Sequence, residues 1–94
     1  MATLNKYYNS NGELHREDGP AVECSDAYKF WYLNGVLHRE DGPAIDYADG
    51  DKEWWLNGKL HREDGPAVER ADGDEYWFLN DEELTEEEFN SRNY

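Results

Sequence analysis

The heptapeptide His-Arg-Glu-Asp-Gly-Pro-Ala occupies residues 15–21, 38–44 and 61–67, so the chain repeats itself with a period of 23 residues. A fixed period of this length marks a stack of supersecondary units, each too small to bury its own apolar face alone. The period extends beyond the heptapeptide. Asn11, Asn34, Asn57 and Asn80 precede Gly12, Gly35, Gly58 and Asp81. Four positions before each of those residues stands an aromatic: Tyr8, Trp31, Trp54 and Trp77. Leu33, Leu56 and Leu79 lie two positions before the turn residue, and Leu14, Leu37 and Leu60 two positions after.

Each unit reads as extended chain. Residues 28–33, 52–56 and 75–79 are aromatic and flanked by turn residues, which suits a pleated surface. Asn-Gly follows at 34–35 and 57–58, a dipeptide that accepts positive φ and signals a two-residue hairpin. The chain returns to the heptapeptide, where Gly-Pro breaks the ladder. Ala-Asp-Gly-Asp at 48–51 and 71–74 makes a second turn. The expected fold is mainly β: one domain over 1–94, an antiparallel hairpin-repeat meander with units at about 5–27, 28–50, 51–73 and 74–84. Thr85 with Glu88 three residues on is a capping-box pattern, and Glu86, Glu87 and Glu88 suit a first helical turn. A short helix at about 86–92 is predicted to close the end of the sheet.

Strand parity separates two aromatic sets. The ladder Tyr8, Trp31, Trp54 and Trp77, with the leucines beside it, is predicted to be core. Tyr32, Trp55 and Phe78 fall on the opposite face and form a candidate partner surface or dimer interface.

Charge narrows the partners. Asp and Glu number 23 against 9 Lys and Arg, a formal net charge of −14. Phosphates and anionic bilayers are repelled, so direct nucleic-acid and membrane binding are disfavoured and a basic protein partner is expected. The acids concentrate around the second turns. Asp46, Asp49, Asp51 and Glu53 surround one, and Glu69, Asp72, Asp74 and Glu75 the next. Stacked, they predict an acidic ridge suited to a basic nucleic-acid channel. Cys24 is the one cysteine, so no intrachain disulfide forms. No apolar run suits a signal peptide or a membrane span, and the expected location is cytoplasmic.

His15, His38 and His61 recur with Arg16, Arg39 and Arg62 and the following Glu-Asp pairs. Catalysis needs one asymmetric constellation, whereas a repeat supplies three parallel copies. Equivalent positions two strands apart lie about 9.6 Å from each other, too far to share a metal ion. These residues are read as structural corners, with Arg–carboxylate pairs between neighbouring repeats and each His bonded to the next loop. The sequence reading assigns no catalytic, metal or cofactor residue.

The period, the single hairpin per repeat and the Trp-Trp-Leu-Asn-Gly-Lys-Leu-His-Arg-Glu-Asp-Gly-Pro-Ala unit (54–67) resemble MORN-type repeats, and more closely their variant form, over about residues 5–84. That resemblance implies a β-sheet scaffold for protein contacts and sometimes lipid contacts. It also implies kinship with antitoxin-like bacterial proteins and with small proteins of bacteriophages and large viruses. The expected function is therefore a small acidic binding protein, not an enzyme. It would be a phage-type inhibitor of a host defence or nucleic-acid-handling protein, of anti-CRISPR or anti-restriction kind, a DNA mimic within a bacterial host cell. The alternatives are an antitoxin or immunity-type binder, and a scaffold that self-associates as a homodimer.

Overall fold

The computed structural model describes residues 3–92. Twelve short strands alternate with turns in chain order: β1 (Leu4–Lys6), β2 (Val22–Cys24), β3 (Tyr28–Phe30), β4 (Tyr32–Leu33), β5 (Val36–Leu37), β6 (Ile45–Tyr47), β7 (Lys52–Glu53), β8 (Trp55–Leu56), β9 (Lys59–Leu60), β10 (Val68–Glu69), β11 (Glu75–Leu79) and β12 (Glu82–Leu84). Helix α1 (Glu86–Ser91) follows. Eight strands form one antiparallel sheet in the order β1-β2-β3-β6-β7-β10-β11-β12, and the hairpins β4-β5 and β8-β9 stand beside it. The fold is the mainly β hairpin meander that the repeat predicts.

Each unit divides where a strand changes partner. The Trp31 N–H donates to the Ala44 carbonyl, while the Trp31 carbonyl accepts from His38 N–H. Trp54 does the same with Ala67 and His61. Residues 28–33 are therefore two strands hinged at Trp31, and residues 52–56 two hinged at Trp54, rather than the single runs that composition suggests. Between the two partners the chain loops out as the heptapeptide corner. The tips stack from one hairpin to the next: Gly35 N–H donates to the Leu14 carbonyl, Gly58 to Leu37 and Asp81 to Leu60. Asn34 and Gly35 have φ of 49° and 81°, and Asn57 and Gly58 repeat this, as a two-residue turn with positive φ at both positions requires.

Register sorts the side chains by face. Asn5, Glu23, Lys29, Asp46, Lys52, Glu69 and Glu75 are successive cross-strand partners, so one face carries a row of mostly alternating charge. Val22, Phe30, Ile45, Glu53, Val68 and Tyr76 form the neighbouring row on the other face. There Tyr28 stacks on Phe30 at 4.7 Å between ring centroids, and Tyr47 meets both edge-on.

The buried apolar residues are Ala21, Val22, Ala44, Ala67, Val68 and Phe89. No large side chain among the described residues is fully buried. The molecule is a slab of 42 × 30 × 17 Å, and most of its aromatic side chains are half-buried. The three alanines that end the heptapeptides are fully buried.

The ends differ. At the C-terminal end the capping box forms as predicted, with Thr85 Oγ1 accepting from Glu88 N–H and Glu88 Oε1 from Thr85 N–H. The helix stops at Ser91, one residue short of the predicted end, because Arg92 turns extended as its C-cap. Phe89 is buried, and α1 packs on β11 and β12. Arg92 stacks on Phe89 and donates to the Glu63 carbonyl, tying the helix to the third corner. No helix among the described residues is long and apolar enough to cross a membrane.

The first hairpin corrects one expectation. His38 and His61 donate their N–H to the carbonyls of Trp31 and Trp54, but His15 donates to Tyr7, not Tyr8. Tyr8 pairs with Leu14, the place that Tyr32 takes opposite Leu37. The aromatic ladder is therefore Tyr7, Trp31, Trp54 and Trp77. The first turn is one residue longer: Asn9 N–H donates to the Glu13 carbonyl and encloses Ser10, Asn11 and Gly12.

Candidate functional site

All residues of the heptapeptide have a job in the corner, and it is nearly the same in all three copies. His Nδ1 faces the next repeat. It accepts the backbone N–H of Asn34 (His15), Asn57 (His38) and Asn80 (His61) at 2.9, 2.9 and 3.0 Å. An accepting Nδ1 places the ring proton on Nε2, which points to the Glu two residues on. Those contacts are 3.4 Å to Glu17, 3.3 Å to Glu40 and 3.0 Å to Glu63. Each His thus latches its corner to the following hairpin turn.

The Arg folds inward. Arg39 lies over the Trp31 ring and Arg62 over Trp54, both 3.8 Å from guanidinium carbon to ring centroid, and Arg16 over Tyr7 at 4.2 Å. Nη1 donates to the carbonyl of Pro20, Pro43 or Pro66, and Nε to Asp18, Asp41 or Asp64. Sequence reading expects the Arg–carboxylate pairs to bridge neighbouring repeats; each Arg–Asp pair instead lies within its own corner, because the ring beneath holds the guanidinium in place. The hydrogen bond from Arg39, and after it the Arg39 charge, holds the Asp41 carboxyl below the usual carboxylate range.

The glycine makes this fold-back possible. Gly19, Gly42 and Gly65 are absent from the positive-φ positions, so they do not serve backbone conformation. They serve space: a Cβ there would stand 3.0, 2.9 or 3.0 Å from the guanidinium carbon. With no Cβ there, the guanidinium has room to lie over the ring; a Cβ would press on it and force it to shift.

The result is charge sorted by depth. The Arg side chains are 21–29% exposed, and the paired Asp18, Asp41 and Asp64 are 86–89% exposed. Glu17, Glu40 and Glu63 are 77–84% exposed. A molecule approaching the corners therefore meets six carboxylates in three pairs, about 9.6 Å apart by strand spacing. Between successive corners lie two equivalent open grooves of about 610 Å³ each. Trp54 and Leu56 line one and Trp31 and Leu33 the other, with the corner carboxylates at the rims.

The structure divides the eight acids grouped by sequence. Asp46, Glu69 and Glu75 stand in the charge row of one face, and Glu53 on the opposite face. Asp49, Asp51, Asp72 and Asp74 sit in the edge turns. Four of the eight are already engaged: Asp46 with Lys52 at 2.9 Å, Glu69 with Arg62 at 2.9 Å, and Asp51 and Glu53 with Arg70 at 3.8 and 3.4 Å. Asp49 and Asp72 accept the backbone N–H of Asp51 and Asp74, closing their own turns. Asp49, Asp72, Asp74 and Glu75 are the exposed members. Sequence grouping missed the corner acids as a surface because it assigned them to the Arg. The available signal was the glycine three residues after each Arg, which lets the cation withdraw and leaves the carboxylates outside.

Tyr32, Trp55 and Phe78 follow the parity of Phe30, Glu53 and Tyr76 and lie on the open aromatic face, half-buried. Trp55 is fixed by its indole N–H, which donates to Glu53 at 2.9 Å. Among the described residues no cluster of His, Cys, Asp and Glu has the grouping of a metal site. No family model, curated protein or solved structure matches the chain.

Proposed function

We propose that this chain is a small acidic binding protein whose corner row covers a basic protein surface, as an inhibitor of a nucleic-acid-handling protein would. One observation carries this reading: the cations of the corners are turned inward onto aromatic rings while their carboxylates face solvent. Depth matters because nearby charges dominate at short range, whereas distant ones are screened within about 8–10 Å at ordinary salt. Facing carboxylates raise the rate of encounter with a cationic surface and disfavour anionic competitors. Three equal corners suit a binding row better than a catalytic centre, so the reading is of a binder and not an enzyme. The resemblance to MORN-type repeats, known mainly as scaffolds for protein contacts, and to small phage-borne repeat proteins agrees with a binding role.

The test is capture from bacterial lysate by wild type and by a variant with Glu17, Glu40 and Glu63 changed to Gln and Asp18, Asp41 and Asp64 changed to Asn. A basic nucleic-acid-handling protein that wild type retains, that salt or added DNA releases and that the variant fails to retain supports the reading. A partner held equally by both refutes it.

A second reading rests on the open aromatic face. Among the described residues no large side chain is fully buried, and Tyr28, Phe30 and Tyr47 form a half-covered cluster on the face of Tyr32, Trp55 and Phe78. An antitoxin-type binder would use this face. Its partner would survive high salt and be lost in Trp55→Ala.

A further inference from the structure

We propose that β1 is a self-pairing edge, through which two copies of this chain join their sheets antiparallel about a two-fold axis. Strand β1 stands at the end of the eight-stranded order and pairs only with β2 among the described residues. The opposite end is covered differently, since α1 packs on β11 and β12. Ser25 N–H donates to the Thr3 carbonyl and Tyr7 N–H to the Ala21 carbonyl, so residues 3 and 7 direct their backbone groups inward. Antiparallel alternation then directs the N–H and C=O of Leu4 and Lys6 outward. Pairing centred on Asn5 sets Leu4 of one copy against Lys6 of the other and the reverse, an isologous register that uses every outward group.

Two further observations favour a second copy as the occupant. Of the six exposed large hydrophobic residues among the described ones, Leu4 (53%), Tyr7 (38%) and Tyr8 (56%) lie within five positions of each other at this edge. Charge points the same way. The chain carries 23 acids and a net charge of −14, yet residues 1–12 contain no acid and include Lys6. This edge is where two such acidic molecules approach with least repulsion. The proposal does not depend on the corner row, which uses other residues.

The experiment is light scattering behind size exclusion, from dilute to concentrated protein and at low and high salt. Wild type is expected to move from 11.1 kDa towards twice that mass, more readily at high salt. Lys6→Pro removes an outward donor and leaves the β1–β2 bonds intact, as edge-strand proline does. It should stay at monomer mass with an unchanged circular dichroism spectrum. Leu4→Lys, which sets a like charge against Lys6 of the other copy at both symmetric positions, should do the same if the proline variant folds poorly. A wild type that keeps monomer mass throughout overturns the proposal. So does a dimer that both variants leave intact, since the contact would then lie elsewhere.

Discussion

The first corner and the second share seven identical residues and differ in how tightly they close. Arg39 sits 3.8 Å from Trp31, and its bonds to Asp41 and the Pro43 carbonyl are 2.9 and 3.0 Å. Arg16 sits 4.2 Å from Tyr7, with the corresponding bonds at 3.2 and 3.3 Å. The difference originates outside the heptapeptide. The first hairpin has a longer turn and offers a phenol ring where the others offer an indole. A cation is held more strongly over Trp than over Tyr. The motif therefore specifies the corner's connections, and the strand beneath it sets how firmly the corner closes.

Breaking the stack gives the largest effect. Arg39→Ala loses the ring contact, worth roughly 0.5–2 kcal/mol, and a charged hydrogen bond to the Pro43 carbonyl, worth roughly 1.5–3 kcal/mol. Urea unfolding should show a loss of about 2–4 kcal/mol. Arg16→Ala should cost about half as much; equal losses would remove the distinction between the corners.

Gly42→Ala comes next. Its Cβ would displace Arg39 from the ring, costing about 1–2 kcal/mol in the same measurement. The double variant with Arg39→Ala should cost clearly less than the sum, because both act on one contact. Additive losses would mean that the glycine serves something other than the guanidinium.

The comparison is sharpened by Tyr7→Trp, which gives the first corner the ring of the others. A gain of about 0.5 kcal/mol is expected, together with a smaller cost difference between Arg16→Ala and Arg39→Ala.

The smallest effect concerns acid. Arg39 lowers the Asp41 pKa, so the stability lent by this pair is present above the ordinary carboxylate pKa. It is lost as pH falls through the lowered folded value. A carboxyl-carbon NMR titration should place the Asp41 midpoint below the ordinary range in wild type and return it upward in Arg39→Ala.

Much of this was legible in the chain. The Asn-Gly turns, the period and the Thr85–Glu88 capping box are local signals, and local geometry satisfies each. The one-residue slip in the first hairpin has only a faint signal in the chain: Ser10, at the place of Leu33 and Leu56, marks where strand gives way to turn. The acids were the harder case. Asp46 and Glu53 are near in sequence, but register sends them to opposite faces and supplies each with a cation. Proximity in sequence cannot show which carboxylates remain uncommitted, because that depends on which strand lies alongside.

The central claim is that outward corner carboxylates carry binding. The most direct measurement is the lysate capture with the six-site corner variant, run beside a control in which Asp49, Asp72 and Asp74 become Asn and Glu75 becomes Gln. The account predicts a basic, salt-released partner that survives in the control and is lost in the corner variant. Loss in the control alone, or retention in both, would contradict it.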